Sequence, residues 1–119
     1  MELSTKKCTP CRGGVPPLEG EKLREFMKQI NGWLLIDGKK IQKKFIFGNF
    51  IEAIDFVNEV GRIAEYERHH PDIFVHYNEV TVYLWTHKIN GLYDNDFIMA
   101  AKIDGIKETE LTFSAVIPA

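Results

Sequence analysis

Little in this sequence commits it to a membrane, to nucleic acid or to a disulfide scaffold. It has two cysteines, Cys8 and Cys11, too few for a disulfide framework and half of what a thiolate zinc site needs. No apolar run approaches the roughly 18 residues of a membrane-spanning helix, and Met1 to Cys8 lack the apolar stretch of a secretory signal. A net charge of -2 supplies no basic field to hold phosphate backbones, so nucleic acid is not expected as a partner. Repeats and low-complexity runs are absent. What remains is 119 residues, 45% hydrophobic and 27% charged, enough for one domain around one core and expected in the cytoplasm.

Residues 1–17 form a Gly/Pro-rich arm carrying Cys8-Thr9-Pro10-Cys11. The pair fits ordinary reduced thiols, a zinc half-site completed by a second copy, or a redox couple. Redox pairs of the thioredoxin kind sit where a strand runs into a helix, which this arm does not offer. Helical spacing starts after Pro16-Pro17: Leu23, Phe26, Met27 and Ile30 make one apolar stripe over about three turns, stopped by Asn31-Gly32. Asp37-Gly38 between Trp33–Ile36 and the alternating run through Ile41, Phe45 and Phe47 predicts a type I′ hairpin with one buried face. Asn49 followed by Glu52 reads as a capping box. It opens a second helix whose apolar face is Phe50, Ala53, Ile54, Val57, Val60, Gly61 and Ala64, with Gly61 marking close approach to a strand. Pro71 forces that helix to end near His70.

Ile73–Tyr77 and Val80–Leu84 read as two more strands, the second continuing to His87, so that period two puts Trp85 and His87 on one side. After Asn90-Gly91, a short helix from Asp94 through Ile103 is expected to close at Gly105. Residues 106–119 stay unassigned, with a β-like alternation in Leu111, Phe113 and Ala115. The fold class is therefore α+β: α-β-β-α-β-β-α, a four-stranded antiparallel sheet with three helices on one face, over residues 18–105. Its edges need covering, which predicts a homodimer with a continuous sheet; pairing of two dimers into a tetramer stays open.

Three of the four histidines, His69, His70 and His87, fall within one window. Imidazole is the side chain suited to moving protons near neutrality. Adjacent histidines can both enter one pocket only where the backbone breaks, as it does before Pro71; mutual repulsion then disfavours the doubly charged pair, so one can act as acid and the other as base. The plainer reading is a helix-end cap. A metal site from Glu65, His69, His70 and His87 competes, but no His-x-His or His-x-x-x-His spacing preorganises it. His76 reads as an ordinary half-buried or surface residue, and Trp33 and Trp85 as core or interface. Glu65 and Asp96 are either helix-end charges or carboxylates that hold an imidazole in one tautomer or accept hydrogen bonds from a ligand's amide and amino edge.

Glu65-x-x-x-His69-His70-Pro71, Tyr77-Asn78-x-Val80, Leu84-x-Thr86-His87, then Gly91-Leu92 and Asp96, together resemble the signature of the pterin-4a-carbinolamine dehydratase family. Gly32-Trp33 and Phe45-x-Phe47-x-x-Phe50 belong to the same likeness, which spans about Leu18 to Ile103, and the Cys-x-x-Cys-x-Gly-Gly arm is similar to that of some microbial members. The resemblance implies a carbon–oxygen lyase that removes water from 4a-hydroxytetrahydropterin, left when aromatic amino acid hydroxylases use tetrahydropterin, to give quinonoid dihydropterin. It implies no metal and no cofactor, a small-molecule pterin as partner, His69, His70 and His87 as the essential histidines, and Glu65, Arg68, Trp85, Thr86 and Asp96 around the pterin. Trp85 stands where many relatives carry a small residue and Lys88 where an acidic one is frequent. Other relatives of this fold are dimeric interaction or assembly factors that relax the histidine motif, which this chain keeps whole.

Overall fold

Asp37 and Gly38 both take positive φ, 53° and 67°, the pair that a type I′ turn requires, and Lys39 N–H closes it on the Ile36 carbonyl at 3.0 Å. This hairpin starts the sheet in the computed structural model, which describes residues 2–9 and 13–114, with side chains through residue 106. The elements run α1 (Gly20–Met27), β1 (Leu34–Ile36), β2 (Lys40–Ile46), α2 (Phe50–Glu67), β3 (Asp72–His76), β4 (Glu79–Leu84) and α3 (Asp94–Ser114). All strand pairs are antiparallel, in the order β1-β2-β4-β3. The fold is the expected α-β-β-α-β-β-α, helices on one face of a four-stranded sheet.

Register explains the two faces. Ile41 lies opposite Leu84 and Phe45 opposite Val80, all buried beneath the helices, while Gln42 opposite Tyr83 and Lys44 opposite Thr81 face outward. Lys43 has the core-side parity and is accommodated by pairing with Asp104 of α3 at 2.8 Å; Asp104 also accepts the Trp33 indole N–H at 3.0 Å. Trp33 is thus a core residue with its polar edge satisfied, and His76 is an exposed residue at the end of β3.

Several sequence expectations are corrected. α1 is two turns long, ending at Met27, although Ile30 beyond it is still buried. In α2, Asn49 Oδ1 accepts the Glu52 N–H at 2.9 Å as a cap should, but the Glu52 carboxylate reaches Gly48 N–H. Phe50 is exposed and Phe56, absent from the expected stripe, is buried beside Phe45 and Phe47. A Cβ on Gly61 would meet nothing within 4 Å, so no strand presses on it. Gly91 is the glycine that needs to be small, because a Cβ there would stand 2.6 Å from Pro17. Gly105 does not end α3, which continues to Ser114; a glycine stops a helix where the chain takes a left-handed turn, and Gly105 stays helical. The alternation of Leu111 and Phe113 therefore lies on helix, and Ala115 lies outside the described residues. Among the described residues no helix is long and apolar enough to cross a membrane.

The arm packs on α3. Leu3 and Cys8 join the main core, and Lys102 Nζ donates to the Ser4 carbonyl at 3.0 Å.

Candidate active site

α2 ends earlier than Pro71 demands, and how it ends aims the histidines. Arg68 turns left-handed (φ 56°, ψ 41°), and the N–H groups of Arg68 and His69 both close on the Ala64 carbonyl. A non-glycine in that conformation costs about 1 kcal/mol, a local strain that the surrounding contacts hold in place. One consequence is that Glu65 and His69 do not share a helix face as their spacing suggests. Glu65 instead pairs with His70, Oε2 to Nε2 at 2.6 Å, on the exposed surface.

His69 turns inward to Asp96 at the start of α3, Nε2 to Oδ1 at 2.6 Å. Asp96 is fully buried, and its other oxygen accepts the Thr86 hydroxyl at 2.8 Å and the Tyr93 N–H at 3.0 Å. Three donors on one dry carboxylate fix its position. Since a carboxylate only accepts, Nε2 of His69 carries the hydrogen and Nδ1 is the acceptor nitrogen of the ring. Each of the two carboxylates thus contacts an imidazole, Glu65 that of His70 and Asp96 that of His69.

β4 stops at Leu84, before the expected end. Thr86 exchanges backbone hydrogen bonds with Gly91, and His87–Ile89 is a 3₁₀ turn closed by left-handed Asn90. Strand parity therefore does not align Trp85 with His87, yet the turn brings their rings to 4.1 Å between centres. The Trp85 indole N–H donates to Asp72 at 3.2 Å, and Lys40 Nζ lies 4.5 Å from its ring centre.

His69, His70, His87, Glu65, Arg68, Trp85 and Thr86 line one cavity of about 900 Å³. Asp96 is not among its walls; it stands behind His69 and Thr86. The arm, which the sequence left without a role, supplies Lys7, Cys8 and Thr9. Asn95 grips Thr9 at both backbone groups, Oδ1 accepting its N–H at 2.9 Å and Nδ2 donating to its carbonyl at 2.6 Å. Buried Glu67 accepts the Cys8 N–H at 2.8 Å and pairs with Lys102 at 3.5 Å. Burial opposes the charge on Glu67, but the Cys8 N–H and the Lys102 ammonium outweigh it and hold the carboxyl below its ordinary 4.5. Burial, reinforced by that carboxylate, pushes the Cys8 thiol up to about 12. Cys8 is thus a packed, protonated thiol, Sγ 3.7 Å from the Asn95 carbonyl, while Cys11 lies outside the described residues. Glu67 was detectable in sequence as a carboxylate continuing the buried stripe Val60, Ala64; the arm had no periodic signal. Among the described residues no three His, Cys, Asp or Glu side chains form a metal-sized cluster.

The family model for pterin 4 alpha carbinolamine dehydratase matches residues 16–106. The chain belongs to the pterin-4a-carbinolamine dehydratase family.

A relative from Rubrobacter xylanophilus, itself named for this dehydratase only provisionally, is 48% identical over 103 residues, 87% of this chain and 96% of the relative. One from Nitrosospira multiformis, named in the same way, is 50% identical over 103 residues, 87% and 90% of the two chains. The crystal structure of a transcriptional coactivator/pterin dehydratase from Brucella melitensis superposes with TM-score 0.72 at 35% identity, covering 76% of this chain and 97% of that one. A pterin dehydratase-like protein described as a RuBisCO assembly factor in the alpha-carboxysome shares the fold, with TM-score 0.55 at 19% identity over 64% of this chain and 89% of that one.

Proposed function

We propose that this member of the dehydratase family acts on 4a-hydroxytetrahydropterin, returning quinonoid dihydropterin for reduction, by proton transfer through histidine. The observation that carries this is that His69, His70 and His87 line one open cavity, two of them each paired with a carboxylate. The reaction is redox-neutral: a proton goes to the 4a-hydroxyl, the C4a–O bond breaks, water leaves, N5 gives up its proton and the C4a–N5 double bond forms. It needs one acid, one base and a group that orients the ring. His69, locked by Asp96, is suited to the role that depends on a fixed tautomer; His70, exposed and paired with exposed Glu65, can exchange protons with solvent. Trp85 and Thr86 give the pterin an apolar wall and a polar edge.

The working unit in this reading is a homodimer in the cytoplasm. β3 is an edge strand, and Val75, on the helix side of the sheet opposite buried Val80, is left partly uncovered. A second reading, an interaction or assembly factor, draws on the coactivator in the name of the Brucella protein. The intact histidine set favours the enzyme.

The deciding experiment follows decay of 4a-hydroxytetrahydropterin with wild type and with His69→Ala, His70→Ala and His87→Ala, each after chelator treatment. Enhancement over buffer by the wild type and its loss in the variants is expected. A wild type no faster than buffer refutes the dehydratase, and loss of rate on chelation refutes a metal-independent mechanism.

A further inference from the structure

The cavity is near the upper end of small-molecule pockets, which run from roughly 300 to 1,000 Å³, and exceeds what a two-ring heterocycle fills. The histidines, Trp85 and Thr86 account for the ring. The remaining wall comes from the arm and from the residues that end α2, and carries two cations, Lys7 and Arg68, and two carboxylates, Glu65 and Glu67.

Lys7 and Arg68 are both exposed cavity residues. Lys7 Nζ lies 4.0 Å from the centre of the Tyr66 ring, so a π face steers it in place of a carboxylate. Arg68 is fixed at its backbone by the left-handed end of α2. Among the described residues neither forms an ion pair. The carboxylates of the same wall are already engaged, Glu65 with His70 and Glu67 with Cys8 N–H and Lys102. Nor is the arm a loose strap: the two Asn95 bonds to Thr9 and the Glu67 bond to Cys8 hold Lys7 at the rim. Two cavity cations, Lys7 steered by the Tyr66 ring and Arg68 placed by its backbone, neither ion-paired among the described residues, beside spare volume can receive an anion.

We propose that Lys7 and Arg68 receive an anionic group, a phosphate or a carboxylate, carried on the side chain of the pterin, so that the preferred substrate is a charged pterin. The proposal rests on the dehydratase reading, and it assigns the arm to recognition of the side chain, apart from the proton chemistry at the histidines.

Binding is measured by fluorescence of stable oxidised pterins on the full chain: 6-hydroxymethylpterin, its phosphate ester, and 6-carboxypterin. Either anionic ligand should bind at least about tenfold more tightly than the neutral one at low salt, as for one charge-assisted contact, and the advantage should shrink as salt rises. Preference for the ester alone identifies a phosphate; preference for both identifies a general anion site. Lys7→Gln and Arg68→Gln should each reduce the anionic-to-neutral ratio several-fold, and Lys7→Glu should bring it to one or below. Because Lys7 is exposed, its variants are not expected to disturb folding. A wild-type ratio near one, or a ratio unchanged by all three substitutions, overturns the proposal. Rate enhancement on a neutral 4a-hydroxypterin with no anionic preference overturns it alone, whereas failure to bind any pterin and to enhance the rate removes the dehydratase reading as well.

Discussion

Asp96→Asn isolates the carboxylate behind His69 at almost constant volume. Asp96 is fully buried and accepts from His69 Nε2, the Thr86 hydroxyl and the Tyr93 N–H, the last two on one oxygen. An asparagine keeps its single oxygen where two donors need it and turns its NH₂ toward His69. Nε2 must then accept, the hydrogen moves to Nδ1, and the ring presents the opposite face of its chemistry to the substrate. Reversing the tautomer of a carboxylate-held histidine costs up to about 10⁴ in turnover. Exchanging one charge-assisted bond for a neutral one should cost the fold only about 1–2 kcal/mol, leaving a cooperative unfolding transition. The assay pairs the decay of 4a-hydroxytetrahydropterin, corrected for the buffer reaction, with urea unfolding. At least a hundredfold fall in kcat/KM is expected in folded protein, with no further fall when Asp96→Asn is added to His69→Ala, because both changes act through one group. A folded Asp96→Asn within threefold of wild type would refute the role assigned to this pair.

Docking of the arm should have an acid and an alkaline limit. Glu67 titrates below its ordinary 4.5 when folded, so its contribution is present above that pH and is lost as pH falls through the lowered value. Cys8 sits at about 12 when folded, so its contribution is present below the ordinary 9.0 and is lost as pH rises toward 12. In a Cys11→Ser background, alkylation of Cys8 should be slow at pH 8 and at least several-fold faster in Glu67→Gln; equal rates would show that the Glu67 bond does not hold the arm. Trp85→Ala removes the ring that packs, tilted, against His87 and should lower kcat/KM by about 2- to 12-fold, the equivalent of the 0.5–1.5 kcal/mol of an aromatic pair, with Trp85→Phe falling less; an unaffected Trp85→Ala counts against a role for this contact. Val75→Lys puts a charge on the exposed β3 edge and should shift sedimentation from dimer toward monomer; a monomeric wild type would refute the homodimer itself.

Local rules made much of the scaffold legible. Asp37-Gly38 demanded positive φ at two consecutive residues, and the structure has it. Period two in β2 and β4 separated a buried from an outward face, and Asn49 capped its helix as such a side chain does. Failures cluster at element ends, where propensity is weak: α1 stops a turn early, α3 passes through Gly105, and β4 yields to a 3₁₀ turn before His87. Gly61 and Phe50 were assigned to a packed face because a helical stripe is defined only by angle, and angle does not reveal how far the sheet extends beneath it.

The sequence by itself determined that three imidazoles and two carboxylates gather near breaks in regular structure, and its motif spacing pointed to the family. Those are properties of neighbours along the chain, set by proline, by turn chemistry and by period. Which carboxylate holds which histidine was decided only by the tertiary structure. Glu65 does not share a helix face with His69, four residues on, because Arg68 leaves the helix, and Asp96, 27 residues from His69 along the chain, reaches it because α3 packs beside α2. The same packing turns an arm without periodic signal into a wall of the cavity, through contacts between Thr9 and Asn95 and between Cys8 and Glu67 that no local pattern encodes.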